Sequence, residues 1–305
     1  MTVTTLGTAP GIRTNPVPPK GFDPRAASPL ELVYFGLPRR PDPAVLPQLA
    51  ARWDELFSRE LNFIKPTFQP MEELLPGIGR LDRSQLDANT NNGIWSGSVV
   101  TTTTTDKFKS VTGQWNVPDV TPAASGAGSW YSVAWIGIDG YGGNDVCQIG
   151  TLQAVTAAAN GSLSKTCYAW TEWFPLSWQA ISNFPVSFGD TLTGLLCVQS
   201  PTQATFNLLN VTTGTHTGFA FNAPAGTTLA GNTAEWILER PGINGSTAQL
   251  PNFGEVYFDG ASATTSANQA EDAGTGTALN MVVNGSTLTT TTIETPTLIK
   301  VTYSG

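Results

Sequence analysis

Thr191-Leu-Thr-Gly-Leu-Leu-Cys-Val198, a break at Gln199-Ser-Pro-Thr-Gln203, and then Ala204-Thr-Phe-Asn-Leu-Leu-Asn-Val211 decide the fold class. Two short runs of Thr, Val, Leu and Phe flank a Pro-containing break, which reads as strand, turn, strand. The same texture spreads outward in both directions. Ser98–Thr105, Trp130–Ile138, Glu255–Phe258 and Thr297–Tyr303 are similar runs. Gly, Asn, Asp and Pro interrupt them roughly every 8–12 residues, the spacing of a sandwich or barrel. Residues 91–305 therefore read as all-β: two sheets of about six or seven strands each, packed about 10 Å apart.

Residues 1–90 differ in composition. Their first thirty residues are rich in Pro and Gly and read as an extended arm. The spacing of Leu46, Leu49, Trp53 and Leu56 or Phe57 predicts one helix near 43–61. Asp42 is its candidate N-cap and Pro43 its first residue, although Pro47 would delay the regular ladder. A Pro-punctuated linker runs from Phe63 to Leu81.

Charge narrows the function. Only 12% of the 305 residues are charged, against about 25% in a usual domain. Residues 1–90 hold ten acidic and ten basic side chains, so residues 91–305 carry the whole formal charge of −8. Such a surface does not suit a phosphate backbone, and nucleic acid is not expected as a partner. No run approaches the ~20 apolar residues that span a bilayer, so no membrane is expected either. With few ion pairs to lose on protonation, the domain is expected to tolerate acid. Met1-Thr-Val-Thr-Thr-Leu6 has neither a basic n-region nor an apolar h-region, and no signal peptide is read there.

Elimination shapes the chemistry. The one histidine, His216, lies in a turn-rich segment without a nucleophile elbow and reads as a surface strand residue. Multi-histidine zinc sites are excluded by that count, and Cys147, Cys167 and Cys197 do not have zinc spacing. No metal and no cofactor is called for. Carboxylates, amides and aromatics remain. Strand alternation puts Glu235, Ile237 and Glu239 on one face, and Trp170, Glu172 and Phe174 on one face. Rings beside carboxylates suit an extended ligand, either a peptide or a sugar chain.

Seven segments in order sharpen this: Asn92-Gly-Ile-Trp95, Val111-Thr-Gly-Gln-Trp-Asn-Val-Pro118, Ala134-Trp-Ile-Gly-Ile-Asp-Gly140, Cys147-Gln-Ile-Gly150, Tyr168-Ala-Trp-Thr-Glu-Trp-Phe-Pro175, Asn232-Thr-Ala-Glu-Trp-Ile-Leu-Glu239 and Leu250-Pro-Asn-Phe-Gly254. Together they resemble the glutamic peptidases, or eqolisins. The resemblance implies a concanavalin A-like sandwich of two antiparallel sheets and an acid-acting endopeptidase, active on protein or peptide substrates outside the cell; the chain is expected to be a monomer. It implies a Gln/Glu dyad. The family's glutamine matches Gln148; its glutamate matches Glu239, not Glu235. Trp95, Trp135, Asp139, Trp170, Glu172 and Phe174 take the substrate-cleft positions. Phe174 stands where the family often has Tyr, and Leu152 where it often has an acid. Gln114 is read as a strand residue without a catalytic part. Residues 1–90 are expected to be a pro-segment or a packed cover, with Arg39 and Arg40 facing the acidic domain. The competing reading is a carbohydrate-binding sandwich, or a glycosidase that pairs Glu172 with Glu239.

Overall fold

The computed structural model describes residues 9–79, 91–102, 105–143 and 145–305. The leader reading at Met1–Leu6, the boundary after residue 90, the end of the linker and the middle of the Thr101–Thr105 run lie outside them.

Two antiparallel layers form the sandwich. The first runs Phe68–Pro70, Gln179–Ile181, Leu163–Trp173, Cys147–Ala157, Gly128–Ile138, Thr233–Glu239, Trp95–Thr101, Thr277–Val283. The second runs Thr215–Asn222, Gln203–Asn210, Thr191–Ser200, Phe108–Asn116, Glu255–Thr265, Leu298–Tyr303, Ser286–Thr295 and again Thr277–Val283. Thr277–Leu279 pairs with the first layer and Met281–Val283 with the second. The expected split into two separate sheets of six or seven strands is therefore replaced by one ladder continuous through 19 strands among the described residues. A corner strand leaves no open edge on that side.

Alternation builds the core. Ala234, Trp236 and Leu238 face inward with Ala134, Ile136 and Ile138, against Val111, Trp115, Leu196, Phe206 and Leu208 of the other layer. Two indoles tie the layers: Trp236 Nε1 donates to Thr112 O at 2.7 Å, and Trp115 Nε1 to Thr151 Oγ1 at 3.0 Å. An unpaired indole N–H buried there would cost about 1–3 kcal/mol. Gly113 makes room: a Cβ there would lie 2.8 Å from Trp236 Cδ1.

The N-terminal extension wraps this sandwich. Ile12–Thr14, read as part of an irregular arm, pairs as a strand with Phe219–Phe221. Pro29–Tyr34 is a helix that periodicity did not reveal. Its signal was a capping box, with Ser28 Oγ accepting from Glu31 N and Glu31 Oε2 accepting from Ser28 N. The predicted helix near 43–61 is shorter, Pro47–Leu56. Asp42 turns back on itself to accept from Ala44 N at 2.9 Å, and Pro47, which has no N–H to lose, starts the helix. Arg40 pairs with Asp54 at 2.6 Å, inside the extension and not with the acidic domain. Arg52 reaches the second layer, donating to Gln114 Oε1 at 2.8 Å. Asn62–Phe63 then pairs with Thr215–His216, and Phe68–Pro70 crosses to the edge of the first layer.

Candidate active site

Strand register builds the site on the outer face of the first layer. Glu235 lies opposite Gly137, Gly137 opposite Gln148, and Gln148 opposite Glu172. Residues opposite one another in a ladder share a face, so one row carries a carboxyl, a gap, a carboxamide and a carboxyl. The next row on that face is Ile237, Trp135, Gly150, Trp170, Ala180. The third is Trp95, Glu239, Val133, Leu152, Tyr168.

Gln148 Nε2 donates to Glu172 Oε2, while Gln148 Oε1 has no hydrogen-bond partner among the described residues. Glu235 Oε1 accepts from Tyr141 N at 3.4 Å. Gly137 puts no side chain between Gln148 and Glu235: a Cβ there would come within 3.0 Å of both Cys147 O and Trp135 Cζ3, and within 3.2 Å of Gln148 Cβ. At ordinary strand spacing the α-carbons of Gln148 and Glu235 are about 10 Å apart, with both side chains rising from one face.

Glu239 is not in that row. It sits four residues further along its strand, opposite Trp95 and Val133. Sheet spacing puts its α-carbon about 17 Å from that of Gln148. Its Oε2 instead accepts from Trp135 Nε1 at 2.8 Å. Gln148 and Glu239 thus share a face but are not brought together. Alternation along the strand gives Glu235 and Glu239 the same face; the register of strands far apart in sequence shows that Glu235 is the one in the row of Gln148.

The aromatic positions converge. Trp95 and Trp135 meet edge to face at 5.0 Å, and Trp170 stacks on Trp178 at 4.3 Å. Trp178 was not singled out from sequence; it lies directly before the strand Gln179–Ile181. Phe174 lies just past its strand, half-buried, with its N–H on Val146 O. Asp139 is different. Its backbone is left-handed at φ 62°, and its two carboxylate oxygens accept from Gly231 N at 2.8 Å and Asn232 N at 2.7 Å. It pins the loop that leads into the Glu235 strand. Burial raises its pKa above the usual carboxylate value, against the lowering effect of those two N–H groups.

The face is covered. Met71 and Ile78 of the extension join one apolar cluster with Trp95, Trp135, Leu152, Trp170 and Trp178. Gln148 and Glu172 are each 1% exposed, Glu235 0% and Glu239 6%. That is why Thr233–Glu239 is buried at every position, where a strand with one open face would alternate.

The peptidase A4 family matches residues 93–303 of this chain. The chain belongs to that family, the glutamic peptidases or eqolisins, and is an endopeptidase of the glutamic type. It is 28% identical to aspergillopepsin-2 of Aspergillus niger over 216 residues, 66% of this chain and 74% of the relative. It is 30% identical to scytalidopepsin B of Scytalidium lignicola over 145 residues, 48% of this chain and 50% of that one. Among solved structures, scytalido-glutamic peptidase with a peptide-based transition state analog superposes with a TM-score of 0.57 at 22% identity, covering 70% of this chain and 98% of that one. Membership of a peptidase family sets aside the sugar-binding and glycosidase readings.

Proposed function

We propose that this endopeptidase cleaves peptide bonds with Glu235 and Gln148, and that residues 9–79 act as the cover of a zymogen. The row Glu235–Gly137–Gln148–Glu172 carries the reading. A water held over Gly137 would meet the carboxylate from one side and the amide from the other. Glu235 takes a proton from that water, whose oxygen attacks the scissile carbonyl carbon. Gln148 Nε2 donates to the resulting oxyanion, a contact worth about 2.7–4 kcal/mol in comparable sites. Glu235 then returns the proton to the leaving nitrogen as the C–N bond breaks. The amide suits its position because it stays neutral beside two carboxyls.

Glu172 orients Gln148, Glu239 holds the Trp135 indole, and Trp95, Trp135, Trp170 and Phe174 bound the cleft. Peptide substrates follow from the peptide-based analog held by scytalido-glutamic peptidase. An acid-side optimum and an extracellular setting are carried over from the family resemblance. Cleavage of denatured casein at pH 3–5 with pepstatin present tests the activity, and N-terminal sequencing of the active form tests the cover. Glu235→Gln abolishes cleavage, whereas Glu239→Gln retains a substantial part of it. The reverse result returns the catalytic role to Glu239.

A further inference from the structure

A cavity of about 550 Å³ lies on the opposite side of the sandwich from the carboxyl row, between the extension and the outer face of the second layer. Its roof is apolar, made by Leu46, Leu49, Trp53 and Leu56 from the amphipathic side of the Pro47–Leu56 region. Its floor is neutral and hydrogen-bonding, because the outward positions of four strands are Thr112, Thr193, Thr205, Asn207, Ser262 and Thr264. Two floor atoms, Asn207 Oδ1 and Ser262 Oγ, have no hydrogen-bond partner among the described residues, although their side chains are 5% and 3% exposed. Buried polar atoms are nearly always paired, so ordered water is expected along this floor, leaving the space under the apolar roof for an apolar body.

Charge says what kind. Arg39, Arg40 and Arg52 line the cavity, and no Asp or Glu does. Arg40 is committed to Asp54, and Arg52 to Glu55 and Gln114. Arg39 makes no ion pair among the described residues. In a chain of formal charge −8 this is a local cationic rim on an apolar space. The volume falls within the roughly 300–1,000 Å³ range of small-molecule sites.

We propose that this cavity binds an amphipathic organic anion, an apolar body carrying one carboxylate, with the body under Leu49 and Trp53 and the carboxylate on Arg39. The site is separate from the peptidase centre, and its test needs no catalysis. Because both the extension and the second layer form its walls, an occupant stabilises the docked extension by mass action.

Dodecanoate is the probe, titrated calorimetrically into the intact chain at neutral pH, with dodecanol as the neutral control. The expected result is saturable binding of one dodecanoate, with dodecanol weaker by about tenfold or more, the loss of roughly one charge-assisted contact. Leu49→Trp, which pushes a larger ring into the space under the roof, weakens binding. Arg39→Gln, an exposed change that leaves the core untouched, weakens dodecanoate to the level of dodecanol. Absence of binding by the intact chain overturns the proposal, as does undiminished binding by a folded Leu49→Trp variant. Equal affinity for acid and alcohol, or an Arg39→Gln variant that still prefers the acid, overturns the assignment of the carboxylate to Arg39.

Discussion

Gln148 and Glu172 stand directly opposite on adjacent strands, and the carboxamide donates to the carboxylate through Nε2. A glutamine on a sheet face has three rotatable bonds, and an unrestrained amide would sample both flips. The carboxylate accepts and cannot donate when ionised, so it selects the NH₂ end. One N–H of that NH₂ group is then committed, and the proposed mechanism assigns the other to the oxyanion.

Glu172→Gln therefore removes the bias without removing volume. Expected is a fall in kcat of about ten- to a hundredfold with KM changed little, as for loss of a contact made chiefly in the transition state. Steady-state kinetics on a chromogenic peptide measures it. A rise in KM at constant kcat would place Glu172 in substrate binding instead.

Gly137→Ala puts a methyl into the space between the two groups, 3.0 Å from a backbone carbonyl. Stability should fall by about 1–3 kcal/mol, the range for overpacking. Activity should fall much further than stability, because the methyl excludes the water. Urea denaturation alongside kcat separates the two effects; an active Gly137→Ala enzyme argues against a water over this glycine.

Asp139→Asn leaves one acceptor where two are used, since the amide nitrogen cannot accept from Gly231 N or Asn232 N. The expected cost is about 1–3 kcal/mol for one orphaned backbone donor. Chemical denaturation at neutral pH checks it. An unchanged midpoint would show that the loop before Thr233 does not depend on this pin.

His216 gives the molecule a pH-dependent joint. It is 3% exposed, not on the surface as its turn-rich segment suggested, and Phe57 and Phe63 of the extension lie against its ring at 6.0 and 5.4 Å. Burial lowers its pKa from 6.5 to about 3. The folded pKa lies below the unfolded one, so the docked form is favoured with the ring neutral. That contribution is complete above about pH 6.5 and is lost as pH falls toward 3, by several kcal/mol at most. The extension should therefore become protease-sensitive on acidification, and His216→Leu should flatten the response. Limited proteolysis between pH 7 and 4 reads both; identical profiles would remove the histidine from the account. Acid tolerance of the rest remains expected, because the described ion pairs lie at the surface.

Much of this was legible in the chain. Alternation named the outer face of the Glu235 strand, and turn residues marked the hairpin Thr191–Ser200 with Gln203–Asn210. Motif order pointed to Gln148, Glu172 and the tryptophans that the proposed function uses. Local patterns suffice there because they depend on neighbours one to four residues away. The proposed exchange of Glu239, the motif reading, for Glu235 was not legible in this way. It rests on the pairing of Thr233–Glu239 with Gly128–Ile138, strands about a hundred residues apart. A two-residue register shift changes which residues meet but not which face they share, whereas a one-residue shift flips the face. The burial of His216, the cover over the carboxyl row and the cavity behind it are also tertiary. Each arises where the extension lands on a sheet already formed, and no periodicity within a segment encodes where a distant segment docks.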